Sequence, residues 1–338
     1  MQFPTTGKPS LGVIYDSSLG SNADEALTLA LLYGLDGKND CRVIAISTTR
    51  DSLRGAQLCD VIGRFLAGSI SGFFGNISRA LPIGMSVEGK LQEDTPIIKQ
   101  VLARPEFKSP IAHLNDTAEV TPLLRNALTA QEDKNAAVVL NGPATNLAAL
   151  LALPGAIDWI KSKVRHLAVA MPEAAVAIDP TAARKLFAEW PTPIFVADSA
   201  VGDALRYPGA SIEKDFAWAT PAHPVVDAYK AAGTMPYDAP APGMAAALQA
   251  VHPDKGYFTL SDPGTFTIDD SGKLRFKPSA EGRHRAILPN DAKREEVLAL
   301  YTQMASAKPV QRTFRRRSEA QQEQQQKKNT PAPKPESK

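Results

Sequence analysis

Acidic side chains cluster in the stretch VIYDSSLGSNADEALTLALL, residues 13–32. An apolar run ends at Asp16, a polar turn follows, and a helical pattern then opens with the adjacent acids Asp24 and Glu25. Carboxylates that share one turn raise each other's pKa, so they need protons or a cation to coexist. Oxygen ligands of this kind suit a hard cation such as Ca²⁺ or Mg²⁺. The stretch therefore predicts a metal or acid–base site at a strand-to-helix turn.

The two helical acids also have a purely structural interpretation. Asn22 followed three residues later by Glu25 matches a capping box, with Asn in place of Ser or Thr. Asp24 and Glu25 would then lie in the first turn of a helix, where the macrodipole favours negative charge. Both interpretations stay open for these two residues, and Asp16 at the end of the preceding strand favours chemistry.

Short β-rich runs alternate with longer helical patterns along most of the chain. Near-continuous apolar strands that alternate with helices are typical of a mostly parallel sheet with helices on both faces, so the predicted fold class is α/β. In such sheets ligands bind at the carboxyl ends of the strands. Residues 256–286 alternate around Asp270-Ser271-Gly272 and predict a C-terminal β-hairpin. The predicted strands are 11–16, 41–48, 136–142, 164–171 and 192–199, and helices are predicted near 23–35 and 52–68.

Composition narrows the class of protein. The 338 residues are 43% apolar and 22% charged, as in a water-soluble globular protein large enough for a sizeable core. A net charge of +2 gives no reason to expect a nucleic-acid partner, and the chain contains no run of 18 apolar residues, so no membrane span is predicted. Two cysteines, Cys41 and Cys59, cannot form a disulfide scaffold. The start MQFPTTGKPS lacks the features of a leader, which predicts a cytoplasmic location, although a secreted chain after leader removal would look the same.

The end of the chain differs from the rest. We predict one domain over residues 1–308 and a tail over 309–338 that is basic and rich in Gln and Pro. From Gln311 onward the charge is +5, which leaves −3 for the remainder. Because the tail has almost no apolar content, it cannot bury enough surface to order itself, and we predict that it is disordered. A basic interaction arm is the alternative.

Four stretches together resemble the inosine/uridine-preferring nucleoside hydrolases. The strand and turn ending at residues 16–25 resemble that family's Asp-x-Asp-x-Gly turn followed by Asp-Asp-Ala-Leu on a helix. NGPATNLAALL (141–151) resembles their Gly-Pro-Leu-Thr-Asn segment, IDPTAARKLF (178–187) their Asp-Pro-Glu-Ala-Ala helix, and PYDAPAPGMAAALQAVHPD (236–254) their His-Asp-Pro helix. The stretches occur in family order and span roughly residues 10 to 300. The resemblance implies a nucleoside-hydrolase-like α/β domain.

The resemblance also implies a Ca²⁺ ion at the bottom of the pocket. In the family it is held by aspartates of the first turn, a threonine carbonyl and an aspartate late in the chain. The ion orients a water and the ribose diol, one ligand aspartate takes the water's proton, and the N-glycosidic bond breaks through an oxocarbenium-like state. On this sequence the corresponding ligands are Ser18, Asp24, Glu25, the Thr145 carbonyl and Asp238.

The first turn departs from the family pattern at its most important position. Asp16 falls on the first aspartate of the turn, but Ser18 falls on the second, which in the family is both metal ligand and general base. A serine hydroxyl cannot act as a base near neutral pH, and loss of a general base costs roughly 10²–10⁴-fold in rate. Two extra residues in the turn place Asp24 and Glu25 only approximately on the family's Asp-Asp pair.

Segments that would hold the substrate depart from the pattern as well. Counting back from Asp179, Glu173 falls on the family's glutamate and Ala175 on its sugar-binding asparagine, and the preceding loop is largely absent. Tyr237 replaces the histidine that in many members protonates the leaving base, while Asp238 keeps its place. With a pKa of about 10, a tyrosine is a poor acid at pH 7.

These matches give one set of candidate residues and two main hypotheses. The resemblance implies a Ca²⁺-dependent N-ribosyl hydrolase that acts on a nucleoside or related riboside, with its base apparently lost. The alternative is a catalytically silent ligand-binding or interaction protein on the same fold. A third idea, Asp16 as the nucleophile of a phosphatase-like turn, is disfavoured by Ser18. Either main hypothesis predicts a small-molecule nucleoside or riboside partner, and a homo-oligomer is compatible with both. The catalytic candidates are Asp16, Asp24 and Tyr237, and the substrate-binding candidates are Glu173, Asp238 and Asn146.

Overall fold

A computed structural model of the protein describes residues 11–72 and 75–313. Strands and helices alternate through the first two thirds of this range, and four strands, β10 to β13, are concentrated near its end. The strands are β1 (Gly12–Ser17), β2 (Arg42–Thr48), β3 (Ser69–Gly72), β4 (Gly75–Ser78), β5 (Ile83–Met85), β6 (Ala118–Glu119), β7 (Ala136–Asn141), β8 (Val164–Ala170), β9 (Ile194–Ala197), β10 (Phe258–Leu260), β11 (Gly264–Ile268), β12 (Leu274–Pro278), β13 (His284–Pro289) and β14 (Gln311–Thr313). The helices are α1 (Ala23–Lys38), α2 (Leu53–Ala67), α3 (Pro96–Leu102), α4 (Val120–Thr129), α5 (Thr145–Leu151), α6 (Ala156–Lys163), α7 (Glu173–Ile178), α8 (Pro180–Glu189), α9 (Ser199–Ala204), α10 (Gly209–Lys214), α11 (Pro224–Ala232), α12 (Pro242–Val251) and α13 (Arg294–Ala305).

One large sheet organises the molecule. Its strands lie in the order β12-β11-β13-β9-β8-β7-β1-β2-β5-β6, and β10 pairs with β13. The strands from β6 to β9 pair in parallel, and β13 joins β9 in parallel, whereas β11 pairs with β12 and β13 in antiparallel fashion. The α/β prediction is therefore confirmed. The chain direction across the sheet reverses between β1 and β7, which is the place where open α/β sheets bind ligands.

Alternation along β1 divides the interior into two cores. Val13 and Tyr15 pack in the core formed with α1 and α12, while Ile14 packs in the core formed with α5 and α8. This is the period of two that a strand imposes on its side chains. Asp16, two residues after Ile14, is therefore directed to the α5 face, and α1 with its two acids covers the other face. All six residues of β1 are buried, as expected for a central parallel strand.

Helix α1 begins where its capping signal predicts. The Asn22 side chain accepts a hydrogen bond from the Glu25 amide, and the Glu25 carboxylate accepts one from the Asn22 amide, which completes the capping box. Most of the helix is buried, because it packs against α12 and α13 as well as against the sheet. Among the described residues, no helix is long and apolar enough to cross a membrane.

The C-terminal region contains the predicted hairpin. Strands β11 and β12 pair through five residue pairs, and the turn between them includes Gly272 with φ of 80°. The positive φ explains the glycine, since other residues rarely adopt it. The predicted tail starts at 309, yet Gln311–Thr313 forms β14 and pairs in parallel with β3. The rest of the predicted disordered tail, residues 314–338, lies outside the described residues, as do residues 1–10.

Candidate functional site

A cavity of about 370 Å³ opens at the carboxyl ends of β1 and β7, beside the first residues of α12. This size falls within the usual range for sites that hold small organic ligands. Its wall combines polar groups of the first turn with groups that follow β8, β9 and α11. The polar residues of the wall include Asn22, Asp24, Asn141, Ser199, Asp203 and Tyr237.

Asp24 is the buried carboxylate in the wall of this cavity. Its Oδ2 accepts hydrogen bonds from the Gly243 amide at 2.7 Å and from Asn141 Nδ2 at 3.1 Å. Its Oδ1 accepts bonds from the Met244 amide and from Thr28 Oγ1, both at 3.2 Å. Burial raises the pKa of Asp24 to about 6, and these donors partly oppose that shift. Because a carboxylate has about four acceptor positions, the internal donors occupy all of them.

Glu25 is tied to the turn that precedes it. Its Oε1 accepts a hydrogen bond from the Ser18 hydroxyl, and its Oε2 accepts bonds from the amides of Ser21 at 2.7 Å and Asn22 at 3.3 Å. The side chain is 1% exposed, and burial raises the pKa of its carboxyl group. The capping interpretation therefore describes Glu25 well. Ser18, at the position of the resembled family's base, donates a hydrogen bond to the Glu25 carboxylate.

Asp16 lies on the opposite face of the sheet from Asp24 and Glu25. Its Oδ1 accepts hydrogen bonds from Ser47 Oγ at 2.6 Å and from Asn146 Nδ2 at 2.7 Å. Its Oδ2 is buried and has no hydrogen-bond partner among the described residues. Burial raises the pKa of Asp16 to about 7, so a proton shared with this oxygen explains how it is tolerated. The structure thus separates Asp16 from the other two acids, which the sequence placed in one cluster.

Thr145 and Asn146 line a second and larger cavity on the α5 face. This cavity has a volume of about 1010 Å³ and is also lined by Asp179 and Lys185 of the α8 region. Thr145 Oγ1 donates a hydrogen bond to Asp179 at 2.9 Å, and the Asp179 side chain also caps α8 through the Ala182 amide. Asn146 bonds the side chain of Asp16 rather than the backbone of its own turn. The Gly-Pro-Ala-Thr-Asn segment therefore connects α5 to β1 and α8.

Tyr237 and Asp238 differ in their relation to the smaller cavity. Tyr237 lines it, stacks on Tyr229 with 4.5 Å between ring centroids, and donates its hydroxyl to the Tyr229 carbonyl at 2.7 Å. Burial raises the pKa of Tyr237 to about 12, which makes it a still weaker acid. Asp238 is exposed, and its carboxylate accepts a bond from the Gly209 amide at 2.8 Å. The residue of this segment that meets Asp24 is Gly243, five positions later.

Glu173, the remaining substrate-binding candidate, is exposed at the start of the short helix α7. It lines neither of the two cavities. Pro172 beside it does line the smaller cavity, so this segment contributes a proline, not a polar side chain, to the cavity wall. A sugar-binding role for Glu173 stays a prediction without a contact to support it.

The predicted Ca²⁺ ligands do not form a ligand set in this arrangement. The carboxylate oxygens of Asp24 and Glu25 accept hydrogen bonds from groups of the protein itself. Asp238 accepts a hydrogen bond from the Gly209 amide, and Thr145 lines the other cavity. Position 243, which approaches Asp24, has no side chain at all. Within residues 11–72 and 75–313, no group of three or more His, Cys, Asp and Glu side chains is arranged to hold a metal ion. The donor set therefore does not fit a hard cation that needs six or more oxygens.

Three residues that shape the site were not indicated by sequence patterns. Asn141 bonds Asp24 and lines the cavity, and its position at the end of a predicted strand was the available signal. Gly243 gave no signal, because its role depends on which helix residue meets Asp24. Arg50 is 2% exposed, and it donates to the carbonyls of Ser18 and Leu19 at 2.9 and 3.1 Å. A lone arginine after an apolar strand was a weak signal for this contact.

Comparison with solved structures identifies the fold. A plant nucleoside hydrolase is similar over 88% of this chain and 100% of its own, at 17% identity and a TM-score of 0.64. An inosine-uridine preferring nucleoside hydrolase from Bacillus anthracis is similar over 87% and 99%, at 13% identity and a TM-score of 0.62. The type III effector protein XopQ, solved in complex with adenosine diphosphate ribose, is similar over 91% and 96%, at 14% identity and a TM-score of 0.62.

Sequence comparisons, in contrast, found no match. No family model matches the chain, and no curated protein matches it either. Identities of this size reveal the fold alone, because fold is retained after the residues of a site have changed. The motif order in the sequence and the similarity over most of the chain agree with each other. The chain therefore has the nucleoside hydrolase fold, and its resemblance to that family is supported.

Proposed function

We propose that this protein binds a ribosyl-containing small molecule in the 370 Å³ cavity without a metal ion, and that it does not hydrolyse the N-glycosidic bond. This is the silent-binder hypothesis, made more specific by the geometry of the first turn. The ligand would lie between the first residues of α1 and the start of α12. Similarity to XopQ, which was solved with adenosine diphosphate ribose, supports the class of ligand, and the occupied acceptor positions of Asp24 support the lack of hydrolysis.

One observation carries the proposal. Asp24 is the buried carboxylate in the cavity wall, and all its acceptor positions are filled by Gly243, Met244, Asn141 and Thr28. A general base needs a free lone pair within hydrogen-bond reach of the water that it activates. Freeing one would break an internal bond, and the donor left behind would cost about 1–3 kcal/mol. Asp24 therefore stabilises the wall and is unavailable as a base.

Other groups of the wall remain available to a ligand. The Asn22 side chain uses its oxygen as a helix cap, which leaves its amide N–H groups for a ligand. Ser199 is exposed at the rim and forms no side-chain hydrogen bond among the described residues. Tyr237, held by Tyr229, supplies a rigid aromatic wall. Hydroxyl-bearing sugars and a flat base suit such a mixture of polar and aromatic groups.

The proposal is tested by calorimetry with ribose, adenosine, inosine, uridine and adenosine diphosphate ribose, in buffers with EDTA or with Ca²⁺. We expect at least one ribosyl compound to bind equally well in both buffers. Ala232→Trp, which adds bulk to the exposed end of α11 in the cavity wall, should weaken binding by about tenfold or more. A parallel reducing-sugar assay should detect no release of ribose.

The matched control is Ala188→Trp. Ala188 is also an exposed helical alanine, but it lines neither cavity, so its variant should bind like the wild type. If no ribosyl compound binds, the proposal is wrong. It is equally wrong if the wild type hydrolyses nucleosides briskly.

Slow hydrolysis is a second candidate, favoured by a single feature. Asp16 retains an unpartnered Oδ2, and burial sets its pKa at about 7, in the range of a general base. However, Asp16 is fully buried on the other face of the sheet and lines neither cavity. Residual hydrolysis that disappears in Asp16→Asn would support this candidate over the first.

A further inference from the structure

Arg50 occupies an unusual environment for a cation. It is the second residue after β2, is 2% exposed, and forms no ion pair with the described carboxylates. Burying an unpaired guanidinium is costly unless its N–H groups are satisfied by other acceptors. The acceptors that surround Arg50 should therefore reveal why the position holds an arginine.

Every nitrogen of the guanidinium donates a hydrogen bond to a loop residue. Nε donates to the carbonyls of Ser18 at 2.9 Å and Leu19 at 3.1 Å, and Nη2 donates to Ser21 Oγ at 2.7 Å. Nη1 donates to the Glu93 carbonyl at 3.1 Å, which connects a second loop. Three of these four acceptors belong to the turn between β1 and α1. Their oxygens converge on one positive charge, as oxygens do around a bound cation.

The surrounding residues make room for the arginine and respond to its charge. Gly55 of α2 faces its stem, because a Cβ at that position would lie 2.9 Å from Arg50 Cβ and 3.0 Å from Arg50 Cδ. The charge also acts on Glu25, where it opposes the effect of burial on the carboxyl pKa. Glu25 in turn holds Ser18 and Ser21. The turn is thus closed by an internal cation and a buried anion.

We infer that Arg50 takes over the organising role of a metal ion, so that the turn of residues 18–21 forms around a guanidinium and needs no Ca²⁺. The inference follows from the donor set, which does not fit a metal, together with the four oxygens gathered by one side chain. It shares with the proposed function only the claim that no metal ion is bound, and the Arg50 variants test it on the ligand-free protein, separately from the proposed ribosyl ligand. Arg50 acts here as a positioning residue for the turn.

The experiment is thermal unfolding of the ligand-free protein. The melting temperature of the wild type should be the same in EDTA and in millimolar Ca²⁺. Arg50→Met should lower it by roughly 5–10 °C, because it leaves buried carbonyls without donors. Arg50→Lys should lose most of the same stability, since a compact ammonium group cannot reach four separate oxygens.

Chemical rescue separates positioning by the guanidinium from general packing. Ethylguanidinium at millimolar concentration matches the atoms missing in Arg50→Ala and should raise the melting temperature of that variant. Arg64→Ala is the matched control, because Arg64 is a partly exposed arginine paired with Asp60 one turn away on α2, and ethylguanidinium should leave its melting temperature unchanged. Rescue confined to Arg50→Ala supports the inference, and equal shifts in both variants overturn it.

Two further outcomes keep the inference open to refutation even when Arg50→Met fails to fold. A wild type whose melting temperature rises clearly in Ca²⁺ still binds the metal at a structural site, which overturns the inference. Gly55→Ala, which presses on the arginine stem, should lower the melting temperature. A Gly55→Ala protein as stable as the wild type would contradict the close packing of Gly55 against the Arg50 side chain.

Discussion

The two faces of the sheet around β1 use their carboxylates in different ways. On the α1 face, Asp24 accepts four hydrogen bonds, two of them from the first amides of α12. On the α5 face, Asp16 accepts two bonds on one oxygen and leaves the other without a partner. The Asp24 carboxylate, as a charged acceptor, joins α1 to α12, whereas the Asp16 carboxyl group is stable when it carries a proton. Burial alone therefore does not determine what a carboxylate does, and the donors around it decide.

The same comparison explains why the candidate residues do not make one site. Thr145 and Asn146 face the larger cavity with Asp179, whereas Asp24 and Tyr237 face the smaller one. Asp16 and Asp24 are only eight residues apart in sequence, yet strand alternation and the helix that follows place them on opposite faces of the sheet. A chain that keeps the order of a family's motifs can thus lose the convergence that made them a site.

The largest expected effect concerns the contact between α12 and Asp24. In Gly243→Ala, the new Cβ would lie 2.0 Å from Asn141 Nδ2 and 2.5 Å from Asp24 Oδ2. Because these short side chains are buried and bonded to each other, we expect a loss of about 3 kcal/mol in the free energy of unfolding, measured by urea denaturation. Gly37→Ala in α1 is the control, since its Cβ meets only the end of the exposed Val310 side chain. Equal stability of the two variants would contradict a saturated Asp24.

The next effect is expected on the other face of the sheet, and it depends on pH. The pKa of Asp16 rises from 3.8 to about 7 on folding, so the folded state holds a proton that the unfolded state has released between these values. The stability contributed by that proton is complete below about pH 4 and is lost as the pH rises through 7. Asp16→Asn cannot titrate, so its stability relative to the wild type should increase by up to about 3 kcal/mol from pH 4 to pH 7.

The difference between variant and wild type is the quantity to measure, because other groups titrate in the same window. Burial lowers the pKa of His166 to about 4 and that of His223 to about 3, and these shifts make stability fall as the pH drops. They are common to both proteins and cancel in the difference. Ser47→Ala removes a donor to the Asp16 carboxylate, so the pKa of Asp16 should rise further and the pH dependence of stability should extend to higher pH. A difference that does not change with pH would refute the assigned protonation of Asp16.

The smallest effect is expected at Thr145. Thr145→Val removes its hydrogen bond to Asp179 and keeps the shape of the side chain, so the free energy of unfolding should fall by about 1 kcal/mol. Ligand affinity measured by calorimetry should stay at the wild-type value, because Thr145 lines the other cavity. A clear loss of ribosyl binding in Thr145→Val would place the ligand in the larger cavity on the α5 face and contradict its assignment to the smaller cavity.

The sequence determined much of the local structure. Apolar strands, helical periodicity and the hairpin around Gly272 predicted an α/β sheet, and the structure confirms it. The capping box at Asn22 and Glu25 was readable because its two hydrogen bonds join residues three apart. The absence of an acid at Ser18 was also visible from sequence alone. These features are local, so short-range spacing specifies them.

Only the tertiary structure decided which side chains meet. Gly243 and Asp24 are 219 positions apart, and Asn146 and Asp16 are 130 apart, so no local pattern relates the partners. Asp238 illustrates this point: Gly243, five positions later, contacts Asp24, while Asp238 accepts a hydrogen bond from the Gly209 amide, and a ligand-binding role for Asp238 stays a prediction. Arg50 is a similar case, since its function depends on carbonyl groups that every residue carries and that only the folded turn directs toward one point. Residue types are written in the sequence, whereas the direction and occupancy of each hydrogen-bonding group are set by packing.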